Sequence, residues 1–158
     1  MRSCVFVLTI VATTIWSGVP VTGQAPDPQL GTWVLNLAKS TFKPGPPPRS
    51  QTRTFESTDR GVKYTLDGID ANGKPTHVEY IANFDGKDYP LTGAPDSDTI
   101  ALKRIDAYTL DVTLKKNGKV VFTGKRMISK DGKTATVTNK GINAEGQPID
   151  NVLVFDKR

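Results

Sequence analysis

VKYTLDGIDANGKPTHVEYIANF, Val62–Phe84, reads as two strands folded back on one turn. Before the turn Val62, Tyr64 and Leu66 alternate with polar residues; after it Val78, Tyr80, Ala82 and Phe84 do the same. A two-residue period places each set on one face of a sheet, whereas a helix would need spacings of three and four. Between the two runs lie Asp67-Gly68 and Asn72-Gly73, pairs suited to the positive backbone angles of tight turns.

The same grammar continues along the chain. Asp85-Gly86, Asn117-Gly118, Asp131-Gly132 and Glu145-Gly146 punctuate runs such as YTLDVTLK (Tyr108–Lys115) and KVVFTGKRMI (Lys119–Ile128). Helical periodicity is nearly absent. Short alternating runs at regular spacing predict an all-β, antiparallel chain of about nine or ten strands. They fall near Gly31–Leu37, Gln51–Ser57, Gly61–Asp67, Thr76–Phe84, Lys87–Leu91, Asp98–Arg104, Tyr108–Lys115, Lys119–Ile128, Lys133–Lys140 and Asp150–Lys157. The architecture expected is an up-and-down β-barrel, with a β-sandwich of two pseudo-repeats as the alternative. Phe42–Pro48, with four prolines, cannot be a helix or a central strand, and is expected to cross from the first strand to the second in a polyproline-like conformation.

The opening stretch also comes close to a calcium loop. Asp70, Asn72, Gly73 and Glu79 match the D-x-[DN]-x-[DN]-G-x5-E pattern, and Gly68 stands where the first Asp should be. An internal echo weighs against a metal. Gly68-Ile-Asp-Ala-Asn-Gly-Lys-Pro recurs as Gly141-Ile-Asn-Ala-Glu-Gly-Gln-Pro, with Val152 in place of Glu79. The glycines and the proline persist while the oxygen ligands do not, as a backbone-driven turn requires. No metal and no other cofactor is expected.

At the start of the chain, one basic residue, an apolar run (CVFVLTIVATTIW) and small residues ending in Val21-Thr22-Gly23 form the pattern of a secretory leader. Residues 1–23 are expected to be removed, residues 24–30 to form a flexible arm, and residues 31–158 to form one β-barrel domain. Cys4, the only cysteine, lies in the leader, so the mature chain holds together without disulfides. The expectation is a secreted or periplasmic monomer without stable membrane insertion after cleavage.

The chain carries 21 Lys+Arg against 16 Asp+Glu, but the signs are interspersed and no basic run alternates with aromatics, which excludes the footprint of a nucleic-acid binder. With one histidine, His77, and no mature cysteine, a multi-histidine metal site and a cysteine nucleophile are both excluded. The serines lack a nucleophile-elbow setting, and the paired aspartates belong to turns. No enzymatic activity is expected.

What remains is the inside of the sheet. Extending the strand parity places Arg53 in line with Phe55, Arg104 beside Leu102, and Arg126 in line with Phe122 and Ile128; Tyr64, Tyr80 and Tyr108 share the inner face. A buried guanidinium needs a carboxylate or a wet cavity, so Arg53, Tyr64, Tyr80, Arg104, Tyr108, Phe122 and Arg126 are candidate contacts for a small hydrophobic or anionic amphipathic ligand. A one-residue bulge would invert this assignment and leave the arginines at a rim.

Two end motifs carry a resemblance. Gly31-Thr32-Trp33 resembles the G-x-W signature of the lipocalins, and Val154-Phe155-Asp156-Lys157 resembles the closing strand of the intracellular lipid-binding proteins. Both belong to the calycin superfamily. The resemblance implies a barrel with one small apolar ligand in its cup, and Trp33 plugging the closed end. The chain departs from these families where the proline run replaces a helical lid, and where Leu153-Val154-Phe155 replaces the Arg-x-Tyr carboxylate grip. An anion would then rely on Arg104 or Arg126. The competing functional class is a non-enzymatic structural or surface-interaction module whose interior is filled.

Overall fold

The computed structural model describes residues 26–143 and 145–158. The leader inferred for residues 1–23 lies outside the described residues. Ten strands follow in order: β1 (Gly31–Leu35), β2 (Ser50–Thr58), β3 (Gly61–Ile69), β4 (Pro75–Ala82), β5 (Asp85–Thr92), β6 (Thr99–Arg104), β7 (Thr109–Lys116), β8 (Lys119–Ile128), β9 (Thr134–Ile142) and β10 (Pro148–Lys157). Each pairs antiparallel with its neighbours in sequence, and β1 also pairs with β10, so the meander closes on itself. This is the up-and-down barrel expected from the strand pattern; a two-sheet sandwich is excluded by the continuous ring of pairings. Closure leaves no open edge for another chain to extend.

The short β1 carries the closure. Trp33 sits opposite Lys157 of β10 on one side and opposite Arg53 of β2 on the other. The indole is fully buried, as is Phe155 from β10. Burying each such aromatic contributes roughly 1.5–3 kcal/mol. The inner faces of the other strands supply Tyr64, Leu66, Tyr80, Ile100, Leu102 and Val137, in the two-residue alternation that the strand sequences show.

Strand direction sorts the connections onto two ends. The β2–β3, β4–β5, β6–β7 and β8–β9 turns gather at the end where β1 begins. There residues 26–30 also lie, with Gln29 fully buried. Where the sequence predicts a flexible arm, the structure packs Asp27–Leu30 against the barrel through a turn: the Leu30 N–H donates to the Asp27 carbonyl at 3.0 Å. At the other end lie the β3–β4, β5–β6, β7–β8 and β9–β10 connections and the crossover from β1 to β2. That crossover holds a 3-10 turn, Leu37–Lys39, and then the proline segment. The segment bends through two cis peptide bonds, Lys43–Pro44 and Gly45–Pro46, instead of running as a polyproline helix. Among the described residues no helix is long and apolar enough to cross a membrane.

The sequence echo is a structural one. In the β3–β4 turn the Asp70 N–H donates to the Lys74 carbonyl at 2.9 Å and the Lys74 N–H to Asp70 Oδ1 at 2.8 Å. In the β9–β10 turn Asn143 and Gln147 make the same pair of bonds at 3.0 and 2.8 Å. Asp70 therefore spends its carboxylate on its own turn, and Glu79 stands on the outer face beside His77. Gly73 and Gly146 adopt φ of 88° and 77°. The first glycine of each copy has a different duty: a side chain on Gly141 would place its Cβ 1.9 Å from the Val121 carbonyl oxygen. Gly141→Ala is therefore expected to destabilise by about 2–4 kcal/mol through steric overlap. Gly146→Ala, with nothing near its Cβ, should cost about 1 kcal/mol for its backbone angle alone. Urea denaturation of the two variants checks this, and equal losses would contradict the assignment.

Candidate functional site

Inside the barrel lies a cavity of about 190 Å3. Its walls are apolar: Leu66, Val78, Leu91, Ile100, Val112 and Val137 line it. Two arginines and two tyrosines converge on it, Arg53, Tyr64, Tyr80 and Arg126, and Ser97 and Asn139 add polar groups toward one end. Toward the end opposite β1's start it meets a second hollow of about 210 Å3. Ala94, Ser97, Leu114 and Asn139 line both. Cavity and hollow together form a cup with its mouth at the β5–β6 loop.

Arg126 is the unusual member. Its inward phase on β8 follows from register, Arg126 opposite Leu110 of β7 and Val137 of β9, both core residues. The residue is 3% exposed. Its guanidinium carbon lies 4.8 Å from the Trp33 ring and 4.1 Å from the Phe55 ring. Nε donates to Gln29 Oε1 at 3.0 Å, and Nη2 to the Gln29 main-chain carbonyl at 3.5 Å. Among the described residues no carboxylate pairs with it, and its Nη1 has no hydrogen-bond partner. Burial, and after it the like charge of Arg53, brings its pKa down from 12.5 to about 9, so it remains a cation at neutral pH. Cation–π contacts of on the order of 1–2 kcal/mol each offset only part of the desolvation cost of several kcal/mol.

Arg53 lies on β2, facing the same space. Its Nε donates to Gln51 Oε1 at 3.0 Å, and its guanidinium stacks 4.4 Å over Phe155. Tyr64 and Tyr80, opposite each other on β3 and β4, stack with ring centroids 4.5 Å apart. Burial pushes both phenols above their usual range, although both arginines pull the other way. They therefore stand as neutral hydroxyls beside two positive charges.

Of the residues singled out from the sequence, Arg53, Tyr64, Tyr80 and Arg126 meet in the cavity, and Phe122 lines the hollow at its mouth. Trp33 sits beneath Arg126 at the closed end, with Lys157 4.9 Å over its ring. Arg104 and Tyr108 are elsewhere. Arg104 ends β6 at the closed end, where it pairs with Asp27 and stacks 4.5 Å over Phe84. Tyr108 is exposed in the β6–β7 turn. Parity holds for Arg104, which registers opposite the core residue Leu110 but lies at the closed end against the arm; it fails for Tyr108, which precedes β7 and follows the turn. The sequence reading did not select Gln29, Leu91, Ser97 or Asn139. Gln29 gave no periodic signal, since it precedes the first strand; Asn139 stood in phase with Val137 and was readable.

A further concavity, of about 400 Å3, lies on the outer face over the β4–β5 seam, beside Arg60, Lys63 and Glu79. Only two residue pairs register across that seam. Also outside is His77, whose Nδ1 lies 2.7 Å from Asp67 Oδ1.

No family model matches the sequence, and no curated protein matches it. Solved structures do match, among them a zebrafish ileal bile acid-binding protein complexed with cholic acid. It aligns at a TM-score of 0.48 with 12% identity, over 83% of this chain and 99% of that one.

Two outcomes test this geometry. Arg126→Met removes a buried charge that has no counter-charge, and is expected to raise stability by about 1–2 kcal/mol. Denaturant melts measure it, and a net loss would mean that the guanidinium is structural. The hydrogen bond with Asp67 raises the His77 pKa above 6.5. Its stabilising contribution is present below the ordinary imidazole pKa and lost as pH rises through the raised value. Asp67→Asn should lower the midpoint of the His77 ring signals in a proton NMR titration; an unmoved midpoint refutes the pairing.

Proposed function

We propose that the protein is an exported binding protein that takes a small amphipathic molecule with one negative charge into the barrel, charged head first. The carrying observation is Arg126: a buried cation without a counter-charge among the described residues, with an unused Nη1 donor, at a cavity whose walls are mostly apolar. Arg53 adds a second charge, and the Tyr64 and Tyr80 hydroxyls add neutral donors. A carboxylate accepts from such a group with short, charge-assisted bonds. The apolar walls suit a hydrocarbon body, and the hollow at the mouth leaves room for it to continue outward.

Size limits the ligand. A dry apolar cavity of about 150 Å3 accommodates benzene, and drug-sized ligands occupy about 300–1,000 Å3. The deep cavity, about 190 Å3, suits the head and first carbons of a compact acid. Export rests on the leader pattern of residues 1–23. An enzymatic role lacks support from a nucleophile with a base beside it in the cup.

Isothermal titration with octanoate and with octanol, its uncharged analogue, tests the reading. Octanoate is expected to bind at least about tenfold more tightly than octanol, a difference of about 1.4 kcal/mol. Arg126→Met should abolish that preference while leaving octanol unchanged. Binding of neither compound would remove this reading and favour the filled barrel, a structural module.

A further inference from the structure

The N-terminal arm touches the anion anchor from behind. A guanidinium offers two forks: a side fork of Nε and Nη2, and an end fork of Nη1 and Nη2. A carboxylate in a buried ion pair commonly fills one of them. Here the side fork faces Gln29, which presents its side-chain Oε1 to Nε and its main-chain oxygen to Nη2. Both are neutral acceptors. They hold the plane of the guanidinium without cancelling its charge, and the free Nη1 stays on the fork that Gln29 does not use.

Gln29 is itself held in place. Its N–H donates to Asp27 Oδ1 at 3.0 Å, and Asp27 is paired with Arg104. Arg104 also donates from Nη1 to the Ala107 carbonyl at 3.4 Å, which ties the β6–β7 turn into the same chain of contacts. The acid of the arm therefore goes to the arginine outside the cup, and the amide goes to the arginine inside it. Were the two exchanged, Arg126 would be neutralised internally.

We propose that Gln29 is the positioning residue that sets the charge selectivity of the cup: a neutral clamp that orients Arg126 and keeps its positive charge for a compact monoanionic ligand. This rests on the reading of the cup as an anion-binding site, and adds that the arm, not the barrel, determines whether that site is open to an anion. An isosteric carboxylate at position 29 would complete an internal ion pair on the side fork and compete with the ligand. An apolar residue of similar size would leave the charge but release the plane.

The test compares wild-type protein with Gln29→Glu and Gln29→Leu, using octanoate and octanol in titration calorimetry, and thermal melts without ligand. Gln29→Glu should weaken octanoate by at least about tenfold, leave octanol within about twofold, and raise the ligand-free melting temperature. Gln29→Leu should weaken octanoate by only about threefold and leave octanol unchanged. The order wild type, Leu, Glu for octanoate alone is the signature, because a packing role would move both compounds together. If Gln29→Glu fails to fold, the Leu variant decides by the same split between acid and alcohol. Octanoate binding unchanged in the variants but lost in Arg126→Met overturns the role of Gln29 and leaves the anion cup standing. If the wild type takes up neither compound, both fall.

Discussion

A guanidinium enclosed in a protein interior must be held by something, and at Arg126 that something is two aromatic faces and two neutral oxygens. Each holder comes from a different part of the chain. Trp33 belongs to β1, Phe55 to β2 and Gln29 to the arm, while Arg126 rides on β8. The four meet only if the sheet closes, because β1 is paired with β2 on one side and with β10 on the other. Barrel closure and charge burial are thus one constraint. Loss of the β1–β10 pairing would release the indole and open the closed end to water, where the charge would be solvated and its selectivity for an anion lost.

Such an arrangement is poor for stability and good for binding. A carboxylate beside Arg126 would relieve the cost of desolvation, yet none is supplied among the described residues, although acids are plentiful on the outer face: Asp88 with Lys115, Asp111 with Lys125 and Asp150 with Lys140 all form ion pairs there. The contrast separates two kinds of charge. Outside, opposite signs meet across strands and contribute little each. Inside, two positive charges face two neutral phenols in an apolar wall. A field of one sign with low-dielectric walls is selective for the opposite sign, because every other occupant leaves the cation unpaired.

The fold was legible because the sheet's period of two is written directly in the side chains. Tyr64, Leu66, Tyr80 and Phe122 face inward as alternation requires, and Asn-Gly and Asp-Gly pairs mark the turns. The same rule placed Arg53 and Arg126 in the interior, because both lie well within their strands. It also put Arg104 on the inner face, opposite Leu110, but did not tell that the end of β6 lies at the closed end beside the arm, and it carried Tyr108 beyond the start of β7 into an exposed turn. It was silent on Gln29. No local pattern reveals that a residue before the first strand will fold under the barrel, since that contact spans 97 positions and depends on a closed end that exists only after β10 has docked on β1.

The near-metal motif bears on the cup by another route. Its two copies turn the chain at the open end, after β3 and after β9, with the same hydrogen bonds and different side chains. What they share is a glycine set where strands approach closely. The Gly141 position would, with a Cβ, lie 2.7 Å from a ring carbon of Phe122, which lines the mouth. Gly68 sits as close to β2, 2.5 Å from the Ser50 carbonyl oxygen by the same measure. A missing side chain at each point lets the neighbouring strand come in. The Asp70 carboxylate that suggested a cation site serves its own turn, and the glycines fix how the strands pack around the mouth through which an anion would enter.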